Sequence, residues 1–298
     1  MQKYSKFKKI RLPLHSKQKT TITRTRQRMK TAAITTIVIA LVVTILQIAI
    51  GAFPVAMFAF PLNTLAMLLW VVAMLHIYRN RTTSAIAKFM LSREATWLSL
   101  LIMAATGVVL GLQRNPMSDA WAAVIGLLFV QSHLMFVVLR GWRGNNRIRW
   151  RFAILHIGLL LALGAGFWGA PDREQLRIAV ESHPSREAYT IEGVERRLPY
   201  DIALEEFKTE MSENNTPTNY TARIVVEGES VVLRVNHPYN RTWSEKIYLI
   251  NGGVAHNGSD YAIVEIVREP WQWLSAVGIV MLIVGGVLLF LCGPKGRR

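Results

Sequence analysis

The chain has 298 residues, 51% of them hydrophobic, with a mean hydropathy of +0.26 and a formal net charge of +16. An ordinary soluble enzyme interrupts its apolar residues with helical or strand periodicity. Here several stretches stay apolar for about 18 residues or more, the length that crosses about 30 Å of hydrocarbon. The charge is segregated: residues 170–271 hold 11 Lys/Arg against 17 Asp/Glu, while the remainder holds 24 Lys/Arg against 2 Asp/Glu. That pattern follows the positive-inside rule. It argues against nucleic-acid binding, which would gather the bases on one folded face.

In chain order, residues 1–31 form a basic tail with eleven Lys/Arg before position 31. Five apolar runs follow within 32–169: Ala32–Phe53, Phe60–Tyr78, Ala95–Gln113, Ala120–Leu139 and Phe152–Trp168. The linkers after the second and fourth runs carry four and five bases, whereas Gly51–Phe60 carries none and the loop around Arg114 one. The alternation predicts six spans with both termini cytoplasmic in a bacterial inner membrane, the sixth being Trp273–Leu291 within 272–298. Tryptophans near most run ends suit an interfacial belt. The first run is longer than a signal-peptide core, so it is expected to remain uncleaved.

Residues 170–271 are the predicted extracytoplasmic domain. Strands are expected at Pro199–Met211, Tyr220–Val226, Val231–Val235, Lys246–Ile250 and Tyr261–Val267, with EGES at 227–230 as a hairpin turn. The expected fold class is therefore membrane α-helical, about six transmembrane helices, with one antiparallel β-domain between the fifth and sixth spans.

No nucleophile elbow, P-loop, HExxH or paired-carboxylate pattern stands out. The single cysteine, Cys292, excludes an internal disulfide and CxxC chemistry. Histidines in the apolar runs are the remaining chemical candidates. His156 lies five residues past Arg151 and His133 seven before Arg140, which places both in the inner half of the bilayer. His76 falls at headgroup level. An intramembrane imidazole is costly and faces a partner, a cavity or a cofactor. A neutral one can ligate haem iron, or it can simply bond a serine or carbonyl on a neighbouring helix. Gln131 and Ser132 beside His133 are compatible with a hydrogen-bonded polar cluster. Gly164 and Gly166 are expected to permit close helix packing.

Three segments carry a family resemblance: RFAILHIGLLLALGAGFWGAPDREQLRI, then LPYDIALEEFKTE with VVLRVNHPYN and KIYLI, and finally AIVEIVREPWQWLSAVGIVMLIVGGVLLFLCGPK. From Arg149 onward the chain resembles the ResB/CcsB family of cytochrome c biogenesis proteins, in its Bacteroides-like form. The resemblance implies a CcsA/ResC-type membrane partner, non-covalent b-type haem crossing the bilayer, and apocytochrome c as client. It makes His156 the expected axial ligand and adds nothing to His133, the weaker candidate. It also implies a client or partner surface that includes Asn236, Pro238 and Tyr248. The common family layout has three spans before the outer domain rather than five, and the tryptophan-rich WWD segment is absent here, as expected if it resides on the partner. Two other classes are compatible with the residues alone. One is a membrane-anchored sensor with an external β-domain; the other is a cytochrome-b-like electron-transfer subunit using His133 and His156 together.

Overall fold

The structure is a computed structural model, and residues 41, 44–45, 47–112, 120–144, 147–211, 217–254 and 258–292 are described. The helices are α1 (Leu62–Arg79), α2 (Ala85–Met90), α3 (Arg93–Leu112), α4 (Trp121–Gly141), α5 (Trp150–Gly169) and α6 (Gln272–Cys292). The strands of the larger sheet are β1 (Glu174–Val180), β2 (Ser185–Thr190), β3 (Glu195–Met211), β4 (Pro217–Val226), β5 (Glu229–Arg234), β6 (Tyr239–Thr242), β7 (Glu245–Val254) and β8 (Asp260–Arg268). A separate two-residue ladder pairs Arg143–Gly144 with Arg147–Ile148.

The described residues fall into two units. One is formed by residues 41–53 and 110–125, where the Trp121 amide donates to Gln47 Oε1 at 3.1 Å and the Phe53 ring meets the Trp121 indole edge-on. The other takes in Pro54–Val109 and residues 126–292.

Among the described residues, four helices are long and apolar enough to cross a membrane: Leu62–Arg79, Trp121–Gly141, Trp150–Asp172 and Gln272–Leu291. They correspond to the second, fourth, fifth and sixth predicted runs. Helix α3 covers the third, and most of the first run lies outside the described residues. Leu65, Leu68, Leu69 and Val72 of α1 and Ile279, Val280, Ile283 and Val287 of α6 are at least half exposed. So much bare apolar surface on two helices is what a lipid environment accepts and water does not.

The large sheet is antiparallel throughout, in the order β5-β4-β3-β2-β1-β8-β7-β6. Its first and last strands are central neighbours, with Glu174 opposite Arg268. The chain therefore leaves α5 and enters α6 side by side. The sheet rolls on itself, so that its outermost strands, β5 and β6, are joined by a tight turn closed by the Arg234–His237 bridge, and Phe207 of β3 packs over Gly252 of β7. Inward residues alternate along each strand, as the two-residue period requires: Leu176, Ile178 and Val180; Leu198, Tyr200, Ile202 and Leu204; Ala262, Val264 and Ile266.

Predicted strands 2 to 5 fall on β4, β5, β7 and β8, and the first on β3, which begins four residues earlier. The turn at 227–230 is a two-residue hairpin: Glu227 (φ 54°) and Gly228 (φ 85°) are both left-handed, the backbone that a tight type I′ connection demands. Strands β1, β2 and β6 were not anticipated. Strand β6 has only four residues, and β2 (SREAYT) carries no run of β-branched residues.

The glycine expectation needs correction. Nothing lies within 4 Å of a Cβ built on Gly166, and Gly164 faces the Gln131 side chain. Close packing falls instead to Gly158 of α5 and Gly278 of α6. A Cβ on Gly278 would stand 2.5 Å from the Ala162 nitrogen, and one on Gly158 2.7 Å from Met281 Cβ. Small residues are what let two helix backbones approach this closely in a membrane.

Candidate functional site

His156 sits on α5, the helix that leads into the β-domain. Successive residues turn about 100° round a helix. Leu155, Gly158 and Ala162 therefore form one stripe, which packs on α6. Gly164 and Trp168 form another on the far side, toward Gln131 of α4 and Trp70 of α1. His156 falls between them, on a half-exposed flank. Its Nδ1 lies 2.9 Å from the Phe152 carbonyl oxygen and its ring stacks on the Phe152 ring at 3.9 Å. With its proton on Nδ1, the imidazole donates to that carbonyl and keeps its lone pair on Nε2. Nε2 makes no hydrogen bond among the described residues. This is the tautomer an axial iron ligand needs, oriented by a backbone acceptor on the other nitrogen, so the residues present fit a haem ligand.

His133 is placed differently. It is 5% exposed, its Nδ1 lies 3.0 Å from the Met90 carbonyl of α2, and its Nε2 is buried without a partner. A macrocycle could reach that nitrogen only after the elements that bury it move apart. No hydrogen bond or ring contact joins the two histidines. His76, at the end of α1, is exposed and bonded to the Asn80 amide at 3.2 Å.

The polar cluster expected around His133 is not one cluster. Residues one and two apart on a helix point to different sides. Gln131 faces Gly164 of α5, Ser132 accepts from Trp70 Nε1 of α1 at 3.0 Å, and His133 turns to α2. Both amide atoms of Gln131 are buried without partners.

Two arrangements were missed from the sequence. At the base of the β-domain, Asp172 accepts hydrogen bonds from the Phe60 amide, Asn63 Nδ2 and Trp271 Nε1, each at 2.7 Å. One carboxylate thus ties the start of α1, the end of α5 and the approach to α6 to one level. Asn63, a polar residue three positions into an apolar run, was the available signal.

The second arrangement centres on Glu245, 4% exposed, which accepts from Tyr200 Oη at 2.7 Å and from Arg241 Nε and Arg268 Nε at 2.6 Å. Burial works against its charge, but the bonds from Tyr200, Arg268 and Arg241 outweigh it and hold the carboxyl below the usual range. Burial, followed by the Glu245 bond, pushes the Tyr200 phenol up. Glu245 shares the inward phase of Ile247 and Leu249, so a charge at a core position was legible.

Of the expected client surface, Asn236 is exposed in a left-handed turn (φ 62°) and Pro238 follows half-buried. Tyr248 is half-buried on the outward phase of β7.

Comparison with known proteins finds the ResB-like family model matching residues 143–261, the stretch from the short ladder before α5 to the start of β8. No curated protein matches the chain. Among solved structures, a cytochrome c heme lyase CcmF is similar over 68% of this chain, at 12% identity and a TM-score of 0.36. The chain spans about a third of that protein's length, the match covering 35% of it.

Proposed function

We propose that this chain, whose residues 143–261 are ResB-like, is a membrane component of cytochrome c biogenesis that holds haem through His156 for delivery to apocytochrome c. The observation that carries the reading is the His156 imidazole: inside the matched segment, on the span leading into the β-domain, half-buried between the two packed stripes of the helix, with Nδ1 tied to Phe152. A ligand on an outer flank suits a site completed by a second protein, and a CcsA/ResC-type partner supplying the opposite axial histidine is the natural complement. Bound there, haem supplies an iron centre whose redox state its axial ligands tune. The chain's own residues orient the imidazole, exclude water on the Phe152 side and set the height of the site below the β-domain through Asp172. The β-domain is assigned the client-holding role, with the Asn236–Pro238 turn and outward-facing Tyr248 as the surface offered.

The test is the haem content and visible spectrum of the complex co-purified with its partner, wild type beside His156→Ala. Haem should fall several-fold in the variant and recover with added imidazole, which replaces the lost ligand. Equal haem in both proteins would remove His156 from the mechanism. No haem in either, with normal c-type cytochromes in a deletion strain, would favour a membrane-anchored sensor.

A further inference from the structure

Two turns of the rolled sheet, close to its membrane connections, carry exposed apolar side chains. The turn joining β2 to β3 carries Ile191, 62% exposed, and Val194, 47% exposed. The turn joining β6 to β7 carries Trp243, 87% exposed. Both lie at the end of the sheet where β1 begins and β8 finishes. Thr190 pairs with Leu176, Arg196 reaches Glu174 at 3.8 Å, and the Glu269 amide donates to the Ser244 carbonyl at 2.7 Å. At the opposite end, the β1–β2 turn exposes Ser182, His183 and Pro184, and the β5–β6 turn exposes Asn236 and His237. A single exposed apolar side chain is unremarkable in any protein, and Val254 at the opposite end is itself 67% exposed. Three on two separate turns beside the membrane connections, one of them a tryptophan, form a cluster even though the β4–β5 turn near Arg241 carries the charged Glu227.

What this end faces follows from the connections. Glu269 is three residues before Gln272, the first residue of α6, and Glu174 is two after Asp172, where the membrane helix of α5 closes. The bilayer boundary therefore lies at the same end of the sheet as the two apolar turns, whichever side of the membrane the domain occupies. Trp273, 58% exposed on the first turn of α6, marks that boundary in the manner of a belt tryptophan. Arg173 and Arg196, more than half exposed beside it and paired with Glu269 and Glu174, place guanidinium groups at the level of that boundary.

We propose that this end of the β-domain seats in the lipid headgroup layer, with Trp243 as its anchor and Ile191 and Val194 as a second point of insertion. An indole suits that layer because its ring is apolar and its N–H finds a wet acceptor. Two anchored turns and two covalent connections hold the domain against tilting, so its height above α5 is fixed. The inference rests on the apolar helices being membrane spans and is independent of haem.

The lone native cysteine simplifies the test. In the full chain carrying Cys292→Ser, Trp243→Cys, Ile191→Cys and, at the opposite end, Ser182→Cys are each labelled with a nitrobenzoxadiazole fluorophore. The proteins are reconstituted into phosphatidylethanolamine–phosphatidylglycerol vesicles with and without lipid bearing a shallow nitroxide. All three positions are exposed, so labelling leaves the core untouched. Emission at 243 and 191 should be blue-shifted and quenched by the nitroxide several-fold more than at 182. Equal quenching at all three positions would overturn the proposal. So would blue-shifted but unquenched emission at 243, which would mean that protein rather than lipid covers the turn.

Discussion

Glu245 is an acid at an inward position, held between Arg241 and Arg268 and capped by Tyr200. A buried carboxylate of this kind is stable only while all its partners remain, because removing one charge leaves the others desolvated and unpaired. Glu245→Gln should destabilise the β-domain by about 3 kcal/mol, seen as a lower melting temperature of the sheet signal in the detergent-solubilised chain. Its carboxyl is depressed in the folded state. Its contribution is therefore complete above the ordinary glutamate pKa of about 4.3 and is lost as pH falls through the lower native value. An acid titration of that melting temperature should accordingly drop less steeply in Glu245→Gln than in wild type. His156 poses a contrasting case at the same scale: its imidazole is held by the Phe152 ring and carbonyl, and the haem-binding role is proposed for its other nitrogen.

Helices α5 and α6 and strands β1 and β8 behave as one assembly. Pairing Glu174 with Arg268 brings the two helices together, and Gly158 and Gly278 let them stay together by removing the side chains that would hold them apart. Asp172 then adds α1. Asp172→Ala would leave Asn63, 1% exposed, without its carboxylate acceptor, and Trp271 without one as well. An unsatisfied buried donor costs about 1–3 kcal/mol. The expected outcome is faster proteolysis at the α1 start and the α5–β1 junction in Asp172→Ala, with cleavage inside the sheet unchanged. Cleavage rising equally at all sites would mean that Asp172 supports the whole fold rather than this joint.

For the molecule as a whole, the decisive property is sidedness. By the positive-inside rule, basic linkers after the second and fourth apolar runs and an acidic domain between the fifth and sixth predict that residues 170–271 lie outside the cytoplasm. Ser182→Cys in a Cys292→Ser chain should react with a membrane-impermeant maleimide in intact cells, while native Cys292 should react only after the membrane is opened. Labelling of both positions in intact cells would contradict the predicted arrangement. Together with the helices, this sidedness would set the β-domain directly above the helix that carries His156.

The membrane helices and most of the strands were readable along the chain because both report a local quantity. Uninterrupted apolar length marks a span, and two-residue alternation marks a half-buried strand. The hairpin at Glu227–Gly228 was readable for the same reason, since a tight turn is a matter of a few backbone angles. What depended on folding were relations between distant positions. The pairing of the first strand with the last, the exchange of Gly158 and Gly278 for Gly164 and Gly166, and the scattering of Gln131, Ser132 and His133 to three neighbours all follow from which helix face meets which. Asp172 reaches residues 99 to 112 positions away, a distance at which sequence spacing says nothing about contact. His156 could be found as a histidine in an apolar run. Its bond to Phe152, four residues earlier on the same helix, is local, whereas the flank it occupies is defined by α6 and α4 on the two adjacent sides of the helix.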